Sequence, residues 1–274
     1  MIPARCDYVV AESAEQAVSA LCEHGDDAKL LAGGMSLIPL MKLRLATPSF
    51  LVDIGRVSEL SYIRDAGDHV AIGALTRHCD VASSEVLARE CAVLASVAGQ
   101  VGDPQVRHRG TIGGSIAHAD PASDLPAVLL VVDAAVVARG PAGERTIPTS
   151  ELFVDFLQTS LRPDELLTEV RVPKTGADGF AYEKFNRRAQ DWATVGALAV
   201  RVNGSARVAL VNMSSRPVRA VGVEAALAGG ASIADAAEHT AEGTEPPDDL
   251  NATPEYRAHL ARVLVRRALE TATR

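Results

Sequence analysis

Two segments of this 274-residue chain combine paired glycines with hydroxyl side chains. The first is Ala32-Gly33-Gly34-Met35-Ser36. The second, Thr111-Ile112-Gly113-Gly114-Ser115, repeats the pattern 80 residues on, glycine to glycine. Glycine has no Cβ, so its backbone can approach a ligand closely. Successive N–H groups in such a turn, with a helix start behind them, make an anion site. Ser36, Thr111 and Ser115 add hydroxyls, and the guest that suits such a site is a pyrophosphate. Either segment alone is a weak signal and reads more simply as a tight turn with no ligand. Together they can grip one diphosphate from both sides, and a carboxylate at Asp124 can accept hydrogen bonds from ribose or adenine groups.

Other polar residues have competing readings. Asp53 lies 20 residues after Gly33, where a Rossmann ribose-binding acid would sit, but the G-x-G-x-x-G spacing is absent. His118 and Asp120 form H-x-D without a third metal ligand in view, so a cap or core contact is the simpler role. His108 is solvent-facing or ligand-adjacent. Asp191-Trp192 either screens a bound ring or joins two strands with Trp192 packed on the core. Cys6, Cys22, Cys79 and Cys91 show no C-x-x-C spacing, so no zinc or iron–sulfur site is expected. No G-x-S-x-G nucleophile motif occurs. The pattern therefore names no catalytic residue and no metal ligand.

The elements that must position these residues follow from periodicity. A strand at 7–10 precedes a helix at 13–24, with Ser13 and Gln16 as a capping box and Gly25 as the stop. A strand at 29–32, the first glycine turn, a helix at 36–45 and a strand at 50–54 complete a β-turn-α-β unit. Helices are expected at 84–101 and 120–130, with Pro121 in the first turn of the latter. Strands are expected at 134–139 and 166–172. Pro173 to Gly179 reads as a linker. Three antiparallel strands follow at 180–187, 193–202 and 206–211, with Asn203-Gly204 as a hairpin turn. Helices at 217–228 and 232–241 come next. A last helix starts at Thr253-Pro254 and buries Tyr256, Leu260, Val263 and Leu264.

Composition bounds the class. Hydrophobic residues make up 47% and charged residues 23%, which is ordinary for a globular chain. The formal charge of −8 disfavours nucleic acid. The most apolar run is broken by Asp133, so no membrane span is expected. Unpaired cysteines and the lack of a signal-like N-terminus point to a reducing, cytoplasmic setting.

Three stretches in order carry a resemblance: LLAGGMSLIPLMKLR, GDPQVRHRGTIGGSIAHADPASDLPAVLL and YEKFNRRAQDWATVGALAV. The chain resembles the FAD-binding medium subunits of the molybdenum hydroxylases, of the carbon monoxide dehydrogenase and xanthine dehydrogenase type. The likeness runs from about residue 3 to 270. It implies an α+β fold: a two-subdomain FAD-binding fold of the vanillyl-alcohol oxidase and cresol hydroxylase type, over 1–56 and 57–175. A C-terminal α/β domain with a three-stranded antiparallel sheet and helices would occupy 176–274. By the same resemblance, 32–36 and 111–115 bind the pyrophosphate and Asp124 the adenosine side. Leu167 and Lys184 match positions at the flavin end, and Val101 stands where a relative packs an aromatic residue on the ring. Some relatives have His where this chain has Met35. A thioether donates no hydrogen bond, and the change removes one point for covalent attachment, so non-covalent FAD is expected.

The implied function is electron transfer. Electrons would pass from [2Fe–2S] clusters on a small subunit to this FAD and on to an external acceptor. The substrate would be oxidised at a molybdenum cofactor on a large subunit, in an assembly up to a dimer of heterotrimers. Two other readings compete: a free-standing FAD oxidoreductase with its own substrate pocket, and a structural module that has lost its flavin. Intact glycines in both segments argue against the latter.

Overall fold

A computed structural model describes residues 2–175, 177–202 and 204–273. The first layer holds β1 (Asp7–Val10), α1 (Ala14–His24), β2 (Ala28–Leu31), α2 (Leu37–Leu43) and β3 (Phe50–Asp53). β3 is central and pairs in parallel with both β1 and β2. A parallel pair cannot be closed by a hairpin, so the chain from β2 must cross over through the first glycine turn and α2. That places the turn at the carboxyl end of a strand. The Ser13 hydroxyl accepts the Gln16 N–H at 3.2 Å, while the Gln16 side chain accepts the Glu12 N–H at 2.8 Å. The capping box thus forms with its return bond one residue early.

The middle of the chain contains β4 (Ile63–Asp65), β5 (His69–Gly73), α3 (His78–Ala82), α4 (Glu85–Glu90), α5 (Ala92–Ala98), α6 (Pro104–Arg107), α7 (Ile112–His118) and α8 (Asp124–Val131). It continues with β6 (Ala135–Gly140), β7 (Gly143–Pro148), α9 (Thr149–Leu152), β8 (Phe153–Asp155), β9 (Gln158–Thr159) and β10 (Leu166–Pro173). Five strands form an antiparallel sheet in the order β4-β5-β10-β6-β7. The helix expected at 84–101 is two helices. Cys91, fully buried at φ −155°, breaks the chain direction between them. The helix expected from 120 starts at Asp124. Before it, the Asp120 carboxylate accepts the Ala122 N–H at 2.9 Å and forms a turn, so Pro121 lies outside the helix.

The C-terminal part contains β11 (Ala177–Phe185), β12 (Val195–Val202), β13 (Ser205–Val211), β14 (Val218–Arg219), α10 (Val221–Ala228), α11 (Ile233–Ala237) and α12 (Pro254–Ala272). The sheet order is β11-β12-β13-β14, so a short fourth strand is added to the three expected. Residues 218–219 are strand rather than helix start. Val202 faces Ser205 across the β12–β13 connection; Asn203 of the expected hairpin turn lies outside the described residues, as does Gly176 of the expected linker. β12 is apolar on both faces because both are covered. Leu198 and Val200 join the main core with α5 and α8, while Ala197 and Ala199 join α12 on the other side. The buried face of α12 is Arg257, Ala261, Leu264, Val265 and Ala268, and Tyr256 is exposed. No helix among the described residues is long and apolar enough to cross a membrane.

Candidate functional site

The first glycine segment leaves β2 and packs against the loop before the second. An added Cβ at Gly33 would collide with the Arg109 carbonyl, whose carbon stands 2.8 Å away. Gly34 has φ +73°, a left-handed conformation that glycine adopts at no steric cost. The N–H groups of Gly33, Gly34, Met35 and Ser36 donate to nothing among the described residues. Four successive unengaged amides at the end of a strand are the donor array a diphosphate requires. Ser36 makes no capping bond to the helix that follows, so its hydroxyl is available too.

The second segment is not a turn but the first turn of α7. Thr111 caps it, its hydroxyl accepting the Gly114 N–H at 3.1 Å. The Ile112 and Gly113 N–H groups donate to the Thr76 and Ala74 carbonyls, both at 2.9 Å. Those two amides are therefore engaged within the protein. A Cβ on Gly113 would lie 2.7 Å from the Ala74 carbonyl oxygen, so this glycine serves backbone packing. Gly114 is exposed, and a Cβ there would stand 4.0 Å from that of Ala32. The two segments thus adjoin, with Gly114 and half-buried Ser115 on the accessible side. Beneath the approach loop, the His78 ring packs against Gly110, and burial pushes its pKa down to about 4, which keeps it neutral.

Asp124 opens α8 and is buried. It receives the Lys184 ammonium at 2.8 Å and the Tyr182 hydroxyl at 2.5 Å. Burial raises the Asp124 pKa, opposed by the charge and hydrogen bond of Lys184 and by the bond from Tyr182. Burial, then the Asp124 carboxylate, holds the Tyr182 phenol well above its ordinary value. The resemblance placed Asp124 and Lys184 at opposite ends of one ligand, but a 2.8 Å ion pair is a single locus. Half-buried Val101 adjoins it through Gln100, whose carbonyl lies 3.5 Å from the Lys184 nitrogen. Leu167 is buried in the main core on β10. Sequence reasoning missed Tyr182, although its i, i+2 spacing from Lys184 puts both on one face of a strand.

Trp192 is 60% exposed and does not pack on the core. With Asp191, Asp120 and Phe156 it lines a crevice of about 750 Å³ between the C-terminal sheet and the loop before α8. The His108 ring faces solvent, 2.6 Å from the Pro104 carbonyl, so it is not held against either glycine segment. Asp53, at the end of β3, accepts the Tyr8 hydroxyl and, at 2.7 Å, the Gly55 N–H. It lines a cavity of about 210 Å³ shared with Gly33, Thr111 and three arginines. Donor amides, adjoining glycines and nearby guanidiniums suit an anionic dinucleotide.

Over residues 4–175 the chain matches the family described as FAD binding domain in molybdopterin dehydrogenase. Over 180–272 it matches the CO dehydrogenase flavoprotein C-terminal domain. It is 42% identical to the carbon monoxide dehydrogenase medium chain of Hydrogenophaga pseudoflava, over 99% of this chain and 98% of that one. It is 41% identical to the 6-hydroxypseudooxynicotine dehydrogenase complex subunit alpha of Paenarthrobacter nicotinovorans, over 99% of this chain and 96% of that one. The solved carbon monoxide dehydrogenase from Hydrogenophaga pseudoflava, in a form lacking the Mo-pyranopterin moiety of its molybdenum cofactor, superposes with a TM-score of 0.96. Sequence identity there is 43%, and the match covers 100% of this chain and 99% of that chain.

Proposed function

The chain belongs to the FAD-binding medium subunits of the molybdenum hydroxylases, and on that premise we propose that it is the electron-transfer flavoprotein of a three-subunit oxidoreductase. Its partners are a small subunit with [2Fe–2S] clusters and a large subunit with a molybdenum cofactor. When bound, FAD supplies the redox chemistry, accepting electrons from the clusters and releasing them to an external acceptor. This chain binds and orients the cofactor. The Gly33–Ser36 amides hold the diphosphate, with the Gly114–Ser115 side of α7 facing them. Asp124 fixes the Lys184 ammonium as an oriented positive charge. Met35 offers no attachment point, so binding is non-covalent. The work divides over 1–56, 57–175 and 176–274, and four cysteines without disulfides are consistent with a reducing, cytoplasmic setting.

The observation that carries this reading is the run of four unengaged amides beside Gly114. Its test is the flavin content of the purified full chain. A yellow protein with stoichiometric FAD released by denaturation, co-purifying with iron- and molybdenum-containing partners, is expected. A colourless chain that added FAD does not reconstitute overturns it.

A further inference from the structure

Arg257, near the start of α12, is 0% exposed. A guanidinium is costly to desolvate, and an apolar side chain of similar volume would pack there at less cost. What it joins explains its place. Nη1 donates to the Thr194 carbonyl, and Nη2 pairs with the Asp249 carboxylate at 2.7 Å. Nε finds no acceptor among the described residues. Thr194 ends the loop 186–194 between β11 and β12, which carries Asp191 and Trp192. Asp249 lies in the segment 242–253 that leads into α12, where its carboxylate also accepts the Asn251 and Ala252 N–H groups at 2.8 and 3.2 Å. Both stretches line the crevice of about 750 Å³. One buried, planar fork therefore reaches both walls of that crevice, a task for which an ammonium point charge is poorly shaped. The loop is tied at the same place by Asn212, whose side-chain amide donates to the Ala193 and Thr194 carbonyls at 2.9 and 3.3 Å. Trp192 is 60% exposed, so burial of its ring contributes little to holding the loop.

We propose that Arg257 is a positioning residue: it pins the loop 186–194 at Thr194 and the segment 242–253 at Asp249, and so fixes the crevice between them with Trp192 on its wall. Both anchors act on one guanidinium, so the two walls are coupled. Lifting the segment 242–253 strips a buried charge of its carboxylate partner, which holds the segment down. The Thr194 N–H donates to the Phe185 carbonyl at 2.8 Å, so the same clamp reaches the base of the hairpin whose β11 arm carries Lys184. In the FAD reading that lysine stands at the flavin end, and the clamp steadies its framework. The clamp itself is a property of the protein alone, and its test needs no flavin, so its failure is distinct from failure of the FAD reading.

Trp192 is the sole tryptophan, so its fluorescence reports on one wall of the crevice. Thermolysin cleavage before Leu250 reports on the other. The full chain is compared with a double variant, Arg257→Met with Asp249→Asn. This pair of changes leaves no uncompensated buried charge, and the asparagine keeps an acceptor for Asn251 and Ala252. In the double variant the fast component of the Trp192 anisotropy decay is expected to grow by about twofold, a loop freed on the nanosecond scale. Cleavage before Leu250 is expected to speed by about tenfold, because proteolysis follows the population of the locally opened segment. Arg257→Lys, which keeps the charge and loses the fork, is expected to restore one wall and not both. Unchanged anisotropy and cleavage in the double variant overturn the inference. Cleavage that rises only in step with global unfolding in urea also overturns it, by making Arg257 a stabilising residue and nothing more. Full rescue of both walls by lysine overturns it too, since charge alone would then suffice.

Discussion

Gly33 and Gly114 look alike in sequence and meet different surroundings. A methyl group at 33 runs into the Arg109 backbone, which cannot move without displacing the loop before α7. A methyl group at 114 meets the Thr111 hydroxyl, at 2.8 Å, and just reaches the Ala32 methyl, at 4.0 Å, on an exposed helical turn. Gly33→Ala should therefore destabilise the fold by about 1–3 kcal/mol, the usual cost of overpacking. Gly114→Ala should leave stability within about 1 kcal/mol, because alanine's better helix propensity offsets the crowding. Its effect should appear in FAD affinity, with a loss of about tenfold or more, equivalent to about 1.4 kcal/mol. Urea melts and FAD titration of both variants separate these effects. Native FAD affinity in Gly114→Ala would show that the exposed side of α7 does not face the cofactor.

Helix α8 and strand β11 meet at one buried ion pair, and the pair joins the middle sheet region to the C-terminal sheet. Asp124→Asn leaves the Lys184 ammonium, 9% exposed, without a counter-charge. Breaking such a pair from one side costs about 3–5 kcal/mol. Lys184→Met in the same background should recover much of that loss, because two neutral groups need no compensation. A urea-unfolding double-mutant cycle measures the coupling, and additive losses would mean the pair is solvent-screened. At this scale the sequence was legible where pattern and burial agree. The β2-turn-α2-β3 unit, both caps of α1 and the start of α12 at Thr253 were all readable. It was misleading where tertiary contact overrides local preference. Two glycines disfavour a helix, yet 112–118 is helical because Gly113 must pass close to Ala74. Periodicity buried Tyr256, which is exposed, and passed over Arg257, which is fully buried, donating to the Thr194 carbonyl and pairing with Asp249 at 2.7 Å. Of the candidate site, the glycine segments stood out by composition and spacing, whereas Lys184 entered only through the family resemblance. Asp53 was noticed for its spacing, but its arginine neighbours come from loops that no local pattern links.

At the scale of the whole molecule, the residues assigned to FAD come from every layer. Gly33–Ser36 follow the parallel sheet, Gly114 and Ser115 lie on a helix over the antiparallel sheet, and Lys184 stands on β11 of the C-terminal sheet. The cores are also shared: Leu198, Val200, Ala209 and Val211 of the C-terminal sheet belong to the core of the middle region. A ligand that bridges these layers binds only when they are docked, so it stabilises the native state by mass action. At a free concentration one hundred times its dissociation constant, FAD contributes about 2.7 kcal/mol. For a chain of this size each kcal/mol shifts Tm by roughly 2–4 °C. Removing FAD from the full chain should therefore lower Tm by about 5–10 °C, with recovery that depends on added FAD. FMN should restore less of the shift than FAD, because it lacks the adenylate and so makes fewer contacts across the layers. A scanning-calorimetry series with and without each flavin reads this directly. An unchanged Tm on removal of FAD would mean that the cofactor does not bridge the layers, and equal recovery with FMN would mean that the adenosine end contributes nothing to the clasp.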